Sequence, residues 1–498
     1  MLTPRLQNTN ITQLWYWTIY CKVKQNENKT INYTNFNLLT TLISIAVITA
    51  CLENAEANNH KDEIESMKKQ IEFLMGEVER LKKTTKNNSS LSNKLKDMQV
   101  KQEAESDTLQ KEVNTLMSKK TFVDSDTGIE ITLDPTPKVS YGDVSWQPFG
   151  ILHIDSAYFN DDNFDHPDGT EMRRARLGMK GTISKDFAYI MEADFGNSNT
   201  ALINAFISYT GFENGEIRFG NNRSPYSLEA STSTDHTTFI EFSAPTAAFD
   251  VGEIVGVGGF FHDKHWSLGA GVYNQNTALQ DTDDEGWRTA ARATLAPIND
   301  DKKLLHVGVS GAYVASRSQT NSFTFGATAE NAIQTTNSVQ ATIASADSHS
   351  ILGMEAAALY GPFSIQGEYF ITDVDTNTGG TDATFNGGYA QISYFLTGER
   401  RPYEQGNGTF GRIVPNNDFT SKGGMGAWEI AARYSMLDLN DGTVTGGKMD
   451  SYTIGVNWYL NKNTRLMLNY IDTDTDANAF SAADDSPSLM LLRGQIIF

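Results

Sequence analysis

Nine basic side chains fall on the polar faces of short segments that alternate apolar with polar residues: Arg174, Arg176, Lys180, Arg218, Arg288, Arg292, Arg433, Arg465 and Arg493. Seven acids stand on the same faces: Asp155, Glu192, Asp194, Glu216, Glu355, Glu368 and Glu429. Fixed charges of both signs, without a nucleophile and base beside them, suit electrostatic screening of solutes rather than bond-making. The candidate wall of a solute path is therefore Arg174, Arg176, Lys180, Arg218, Arg288, Arg292 and Arg433, with Glu192, Asp194 and Glu429. The basic surplus on these faces is 9 − 7 = 2.

Other chemistries find little support. His262 and His265 in HDKH form the one close histidine pair, and no Cys, His or carboxylate cluster completes a metal-ligand set around them. The two cysteines, Cys21 and Cys51, both precede residue 52, so the remainder of the chain has neither a disulfide framework nor a thiolate metal site. No glycine-rich phosphate loop lies between a strand and a helix. The sequence thus predicts no enzyme, no catalytic residue, no metal and no cofactor. A formal charge of −21 over 498 residues argues against nucleic acid as a partner. A mean hydropathy of −0.39 excludes a bundle of apolar membrane helices.

The elements that carry these charges are strands. Arg174 to Ile183 sets Ala175, Leu177, Met179 and Ile183 on one face and Arg174, Arg176, Lys180 and Thr182 on the other. Phe187 to Phe195 repeats the alternation after the short turn Ser184-Lys185-Asp186, so the pair reads as a hairpin. Further strands are expected at about 149–159, 201–209, 215–222, 255–262, 265–273, 287–297, 304–314, 350–360, 363–371, 387–396, 426–437, 450–460, 464–471 and 489–498. Counting the hairpin's two, that is about sixteen.

Short turns such as Tyr360-Gly361-Pro362 and Asn461-Lys462-Asn463 alternate with long polar stretches such as Ser316–Ser348 and Thr372–Asn386. This is the layout of an outer-membrane barrel. Aromatics near the ends of apolar stripes, as with Tyr452 and Trp458 or Trp428 and Tyr434, fit bilayer interfaces. Alternation alone also fits a soluble sandwich; strand count, export signal and the terminal Phe498 favour the barrel. The expected fold is all-β: a 16-stranded antiparallel transmembrane β-barrel over residues 149–498, behind a linker at 121–148 and an N-terminal α-helical coiled coil at 60–120.

Residues 1–57 read as an export signal. The run Leu38 to Leu52 has 15 residues, short of the roughly 20 a spanning helix needs. Lys22, Lys24 and Lys29 precede it, and Ala55-Glu56-Ala57 supplies a cleavage site. About 35 residues lie upstream of the apolar run, an atypically long leader that suggests a later start codon. Cys51 in Ile48-Thr49-Ala50-Cys51 offers acylation as an alternative to cleavage after Ala57.

In residues 60–120, Ile64, Met67, Ile71, Leu74, Val78 and Leu81 recur at spacings of 3 and 4, a heptad seam. Beyond the interruption at Thr84–Ser90, Leu95, Met98, Leu109 and Leu116 continue the register with Gln102, Glu105 and Glu112 between them, so pairing there should be looser. Because one amphipathic helix cannot bury its own stripe, self-association of identical chains is expected, as dimer or trimer; a spacer folding back on its own chain is the alternative.

Several segments resemble the phosphate-selective porin O and P family: Arg173–Gly196 (RRARLGMKGTISKDFAYIMEADFG), Ile217–Glu229, Tyr394–Pro415 (YFLTGERRPYEQGNGTFGRIVP) and Gly426–Asp441 (GAWEIAARYSMLDLND). The resemblance spreads over residues 140–498. It implies a homotrimer of water-filled barrels among outer-membrane lipid of a Gram-negative cell, the coil in the periplasm, passing small inorganic or organic ions. It also implies that the stretch Arg223–Phe249 folds inward to narrow the path, and that a terminal aromatic such as Phe498 marks the barrel for insertion.

Charge sets two expectations against each other. Arg174, Arg176, Lys180, Arg288 and Arg292 could form a basic strip with modest anion, including phosphate, preference. Alternatively each arginine pairs with a neighbouring carboxylate and selects nothing. From residue 121 onward the chain holds 23 Lys/Arg against 47 Asp/Glu, 23 − 47 = −24, part of it in Asp281–Glu285. A negative mouth repels phosphate within a Debye length of about 8 Å. A separate possibility is structural: the coil tethers the outer membrane to the cell wall and the barrel is its anchor.

Overall fold

The computed structural model describes residues 121–123, 127–133, 136–196, 200–274, 286–316, 322–377, 379–476 and 483–498, together with Glu65 and Lys69. The export signal, the coiled coil apart from those two residues, and the acidic run 281–285 lie outside the described residues.

Sixteen strands among the described residues close a barrel. In chain order they are β1 (Val144–Asn160), β2 (Gly169–Ser184), β3 (Phe187–Asp194), β4 (Ala201–Phe212), β5 (Gly215–Arg223), β6 (Glu253–His262), β7 (Trp266–Asn274) and β8 (Trp287–Asn299). The second half comprises β9 (Lys303–Ala315), β10 (Ala346–Tyr360), β11 (Phe363–Thr376), β12 (Ala383–Phe395), β13 (Ala427–Asp441), β14 (Val444–Asn461), β15 (Thr464–Thr475) and β16 (Ser488–Ile497). Each pairs antiparallel with the next, and β16 returns to β1 in the register Ser488↔Asn160 to Ile497↔Ile151. Closure removes both sheet edges, so every strand's backbone groups have partners where lipid can offer none. Phe498 completes the seam: its N–H donates to Gly150 O at 3.0 Å and its carbonyl accepts from Gly150 N at 2.9 Å.

The barrel is apolar outside and polar inside. On β15, Leu466 and Tyr470 are exposed while Arg465, Asn469 and Thr473 on the opposite face are buried. A soluble sandwich would show the reverse, so burial decides what alternation leaves open. Aromatic rings gather at both ends of the outer surface. Near the end carrying Phe498, Phe187, Tyr209, Phe212 and Phe261 follow one another at 5.2, 5.3 and 5.5 Å, and Trp428 stacks on Trp458 at 5.0 Å. Toward the other end Trp287 meets Tyr313 and Tyr434 meets Tyr452. These are the interfacial girdles of a membrane barrel.

Three expectations need correction. Thr372–Asn386 is not one long loop, because β11 continues to Thr376 and β12 begins at Ala383. Above the apolar band the outward face meets water, so Asp373 and Asp375 stand exposed while Thr372 and Val374 are buried on the inward face, and the apolar-out alternation is lost. Ser316–Ser348 holds a second hairpin, Ser322–Ala327 paired with Val339–Ala344. Residues 121–148 are not a mere linker: Thr121–Val123, Ile129–Thr132 and Lys138–Tyr141 form an antiparallel meander that continues into the start of β1.

Candidate functional site

Three segments enter the barrel. The first joins β5 to β6 and contains the short helices α1 (Leu228–Ser231) and α2 (Ala244–Phe249). The second is the 322–344 hairpin between β9 and β10. The third, residues 396–426 between β12 and β13, comes from the opposite end and carries the small pairing of Tyr403–Glu404 with Thr409–Phe410. Phe249, Phe325, Phe370 and Phe385 form part of an apolar cluster where the first two segments meet the wall.

The wall holds the first segment along its backbone. Gln495 Nε2 donates to Asp235 O at 3.1 Å, Arg465 to Thr237 O at 2.7 Å, and Asn457 Nδ2 to Thr238 O at 2.8 Å. Arg493 donates to Ile240 O at 2.5 Å and Arg433 to Glu241 O at 3.1 Å. Each of these residues faces inward because the strand period places it there. Their donors satisfy carbonyls of an irregular segment that has no ladder of its own.

Side chains complete the strap. Glu241 receives Arg173 Nε at 2.9 Å, Arg493 at 2.6 Å and Arg174 at 3.5 Å. Burial alone would raise the Glu241 carboxyl, but the three guanidiniums hold it well below the usual carboxylate range. Glu368 on β11 accepts from the start of α1: Leu228 N at 2.7 Å, Glu229 N at 2.6 Å and Ser227 Oγ at 3.1 Å. Ser227 in turn caps Ala230 N at 3.1 Å from a left-handed φ of 57°.

The hairpin and the first segment share one arginine. Arg433 donates to Glu330 at 2.5 Å and to Glu229 at 3.2 Å, and its guanidinium lies 4.6 Å from the Phe239 ring. Glu330 also accepts from Ser435 Oγ, from Thr453 Oγ1 at 3.1 Å and from Ala244 N at 3.1 Å. Burial raises the Glu229 carboxyl although Arg433 opposes the shift. The third segment is fixed by Arg292, which donates to the carbonyls of Asn407 and Gly408, both at 2.8 Å, while binding Glu355 at 2.6 Å. His306 bridges Glu355 at 2.9 Å and Tyr403 at 2.7 Å.

The remaining candidates take the following places. Arg176 pairs with Asp194 at 2.9 Å and lies 3.8 Å from Glu192, which accepts from Asn204 at 2.6 Å. Arg218 pairs with Glu216 at 2.5 Å over the Phe260 ring. Arg288 donates to the Val251 carbonyl. Glu429 accepts from Asn457 and Tyr459, each at 2.9 Å. Lys180 is exposed, makes no ion pair among the described residues, and sits 5.5 Å from the Phe149 ring. Arg174, Arg176 and Lys180 lie on β2, and Arg288 and Arg292 on β8, with five strands between, so the five do not form one strip.

Sequence reasoning missed Arg173, Glu229, Asp235, Glu241 and Glu330. Strict alternation points Arg173 outward, but β1 and β2 slip register between His153↔Arg174 and Ile154↔Met172, and this bulge leaves Arg173 as the unopposed residue. Two adjacent arginines within an alternating run were the available signal. Glu229, Glu241 and Glu330 meet wall residues up to about 250 positions away, as Glu241 meets Arg493, and Asp235 reaches Gln495 through its backbone carbonyl, separations no local pattern encodes.

A family model described as phosphate-selective porin O and P matches residues 149–498. An uncharacterised protein of Caulobacter vibrioides is 30% identical over 362 residues, covering 68% of this chain and 71% of its own. Porin O of Pseudomonas aeruginosa is 26% identical over 374 residues, 68% of this chain and 84% of its own. Among solved structures, the anion-selective porin from Comamonas acidovorans superposes with a TM-score of 0.47 at 16% identity, covering 71% of this chain and 100% of that one. OmpT of Vibrio cholerae gives 0.47 at 13% identity, over 72% and 99%.

Proposed function

This chain belongs to the phosphate-selective porin O and P family and is an outer-membrane channel protein; from that premise we propose that three copies assemble and that each passes small hydrophilic solutes, inorganic and organic ions included, by passive diffusion with weak charge selectivity. The observation that carries the weak selectivity is the engagement of the wall arginines. Arg174, Arg176, Arg292, Arg433 and Arg493 each meet a carboxylate, whereas Arg288 and Arg465 are held by a backbone carbonyl that leaves their charge in place. An arginine already neutralised by a carboxylate adds little field for a passing ion to sense.

The family's description and the name of the Pseudomonas relative speak for phosphate among the permeants. Exposed Lys180 is the wall cation best placed to give anions a modest advantage. The net charge of −24 from residue 121 onward opposes a strong one. The tether reading rests wholly on residues 60–120, and deletion of that stretch tests it: a loosened envelope with solute uptake intact would favour it.

Reversal potential across a planar bilayer in a salt gradient tests the main reading. The expected value lies near zero. A potential close to the chloride or phosphate equilibrium value would show strong anion selectivity and overturn it.

A further inference from the structure

The meander before the barrel has two chemically distinct faces. Cross-strand register puts Phe122, Ile131, Val139 and Trp146 in one row. Ile129, Tyr141 and Val144 occupy the neighbouring row of the same face. Seven apolar side chains therefore share that face. The opposite face carries Thr121, Val123, Glu130, Thr132, Lys138, Ser140 and Ser145, polar except for Val123. Among the described residues of one chain the apolar face is uncovered: Tyr141 is 64% exposed, Val144 51%, Trp146 44% and Phe122 41%. A small sheet with one apolar face needs a layer against it to be stable in water.

We propose that this face docks against the same sheet of two further copies of the chain, so that the sheets close a collar around the three-fold axis beneath the barrels. Chain length argues for this occupant. The heptad register ends at Leu116, and the five residues from there to Thr121 reach at most about 17 Å. Chains joined at a helical seam cannot separate far before their sheets begin.

Continuity argues likewise. Val144 and Trp146 lie on the same side of β1 as exposed Ile154 and Tyr158, so the apolar face extends the outer wall around β1 and β16. Among exposed Ile154, Tyr158, Met490, Leu492 and Ile496, that part of the wall is interrupted by small and polar residues. Ser156 and Thr170 hydrogen-bond to each other at 2.8 Å, and a Cβ added at Gly494 would meet nothing within 4 Å. Hydroxyls and a bare backbone suit a protein neighbour better than hydrocarbon.

The inference rests on the trimer reading above, and cross-linking of the full chain in membranes separates the two. With Cys21 and Cys51 replaced by serine, single cysteines are introduced as Tyr141→Cys on the apolar face, Thr132→Cys on the polar face and Leu74→Cys on the heptad seam, and each variant is treated with a short bismaleimide. Tyr141→Cys is expected to give covalent pairs of chains and Thr132→Cys none. Single chains from Tyr141→Cys, with pairs from Leu74→Cys, overturn the collar and leave the trimer standing. Silence at both positions overturns both. Quenching of a fluorophore at position 141 by spin-labelled lipid assigns the face to the membrane and overturns the collar. As a second readout, Phe122→Asp with Tyr141→Asp is expected to lower the temperature at which the oligomer dissociates without lowering that at which the single barrel unfolds; an unchanged dissociation temperature contradicts the collar.

Discussion

Arg433 on β13 and Glu330 at the turn of the inserted hairpin meet at 2.5 Å with neither side chain exposed. The same guanidinium reaches Glu229 in α1, so one wall residue fixes two inward segments that are about 100 positions apart. Desolvation of three charges is offset only while all three remain together. Arg433→Ala leaves two buried carboxylates facing one another and should cost about 3–5 kcal/mol in the docking of the inward segments. In single-channel records this is expected as a larger and noisier conductance; an unchanged, quiet conductance would show that the loops are held elsewhere.

Glu368 fixes the start of α1. Glu368→Ala strands the amides of Leu228 and Glu229, worth about 1–3 kcal/mol for each buried donor left unpaired. Hydrogen exchange at those two amides should accelerate strongly while the β11 ladder stays protected. Equal acceleration in both would mean the substitution unfolds the wall rather than releasing the loop.

Glu241 sets the acid limit of the strap. Its carboxyl is held well below its ordinary value by Arg173, Arg174 and Arg493 despite burial. A depressed carboxylate contributes stability that is fully present above the unfolded pKa, about 4.3, and is lost as pH falls through the lower folded value. Conductance should therefore hold steady from pH 8 to about 5 as far as this group is concerned, and loosen only in stronger acid. Glu241→Gln removes the charge at every pH and should reproduce the acid behaviour at pH 7; a variant with native conductance would detach Glu241 from the strap.

Removing Arg174 and Arg176 together frees Asp194 and Glu192 and takes one of the three cations around Glu241. The double change to alanine should move the reversal potential toward cations. A potential that does not move would mean that permeating ions do not sense this part of the wall.

All sixteen strands are legible from alternation, because lipid on one side and water on the other select opposite residue types at every second position. Strand ends are less so. The stretch Ala346–His349 of β10 and the Thr372–Thr376 end of β11 set Asp347, Asp373 and Asp375 on the exposed side and so read as loop, yet the ladder continues through them. The inward direction of Arg174, Arg176, Arg292 and Arg433 is legible from period alone, and their partners are not. Glu241 and Glu330 are single acids in irregular stretches, and the closed ring brings them to residues on distant strands. Arg173 enters through a bulge that period two cannot contain. The meander at 121–141 carries its signal in strands of three or four residues, Ile129 with Ile131 and Val139 with Tyr141, too short to stand out from a linker.

The central claim is that lipid contacts the outer face of the ring while water and solutes pass within it. Adding the detergent-purified protein to a planar lipid bilayer tests this most directly. Discrete, ohmic conductance steps are expected, from a protein that needs detergent to stay dispersed. A protein that dissolves without detergent and leaves the bilayer electrically silent would contradict it.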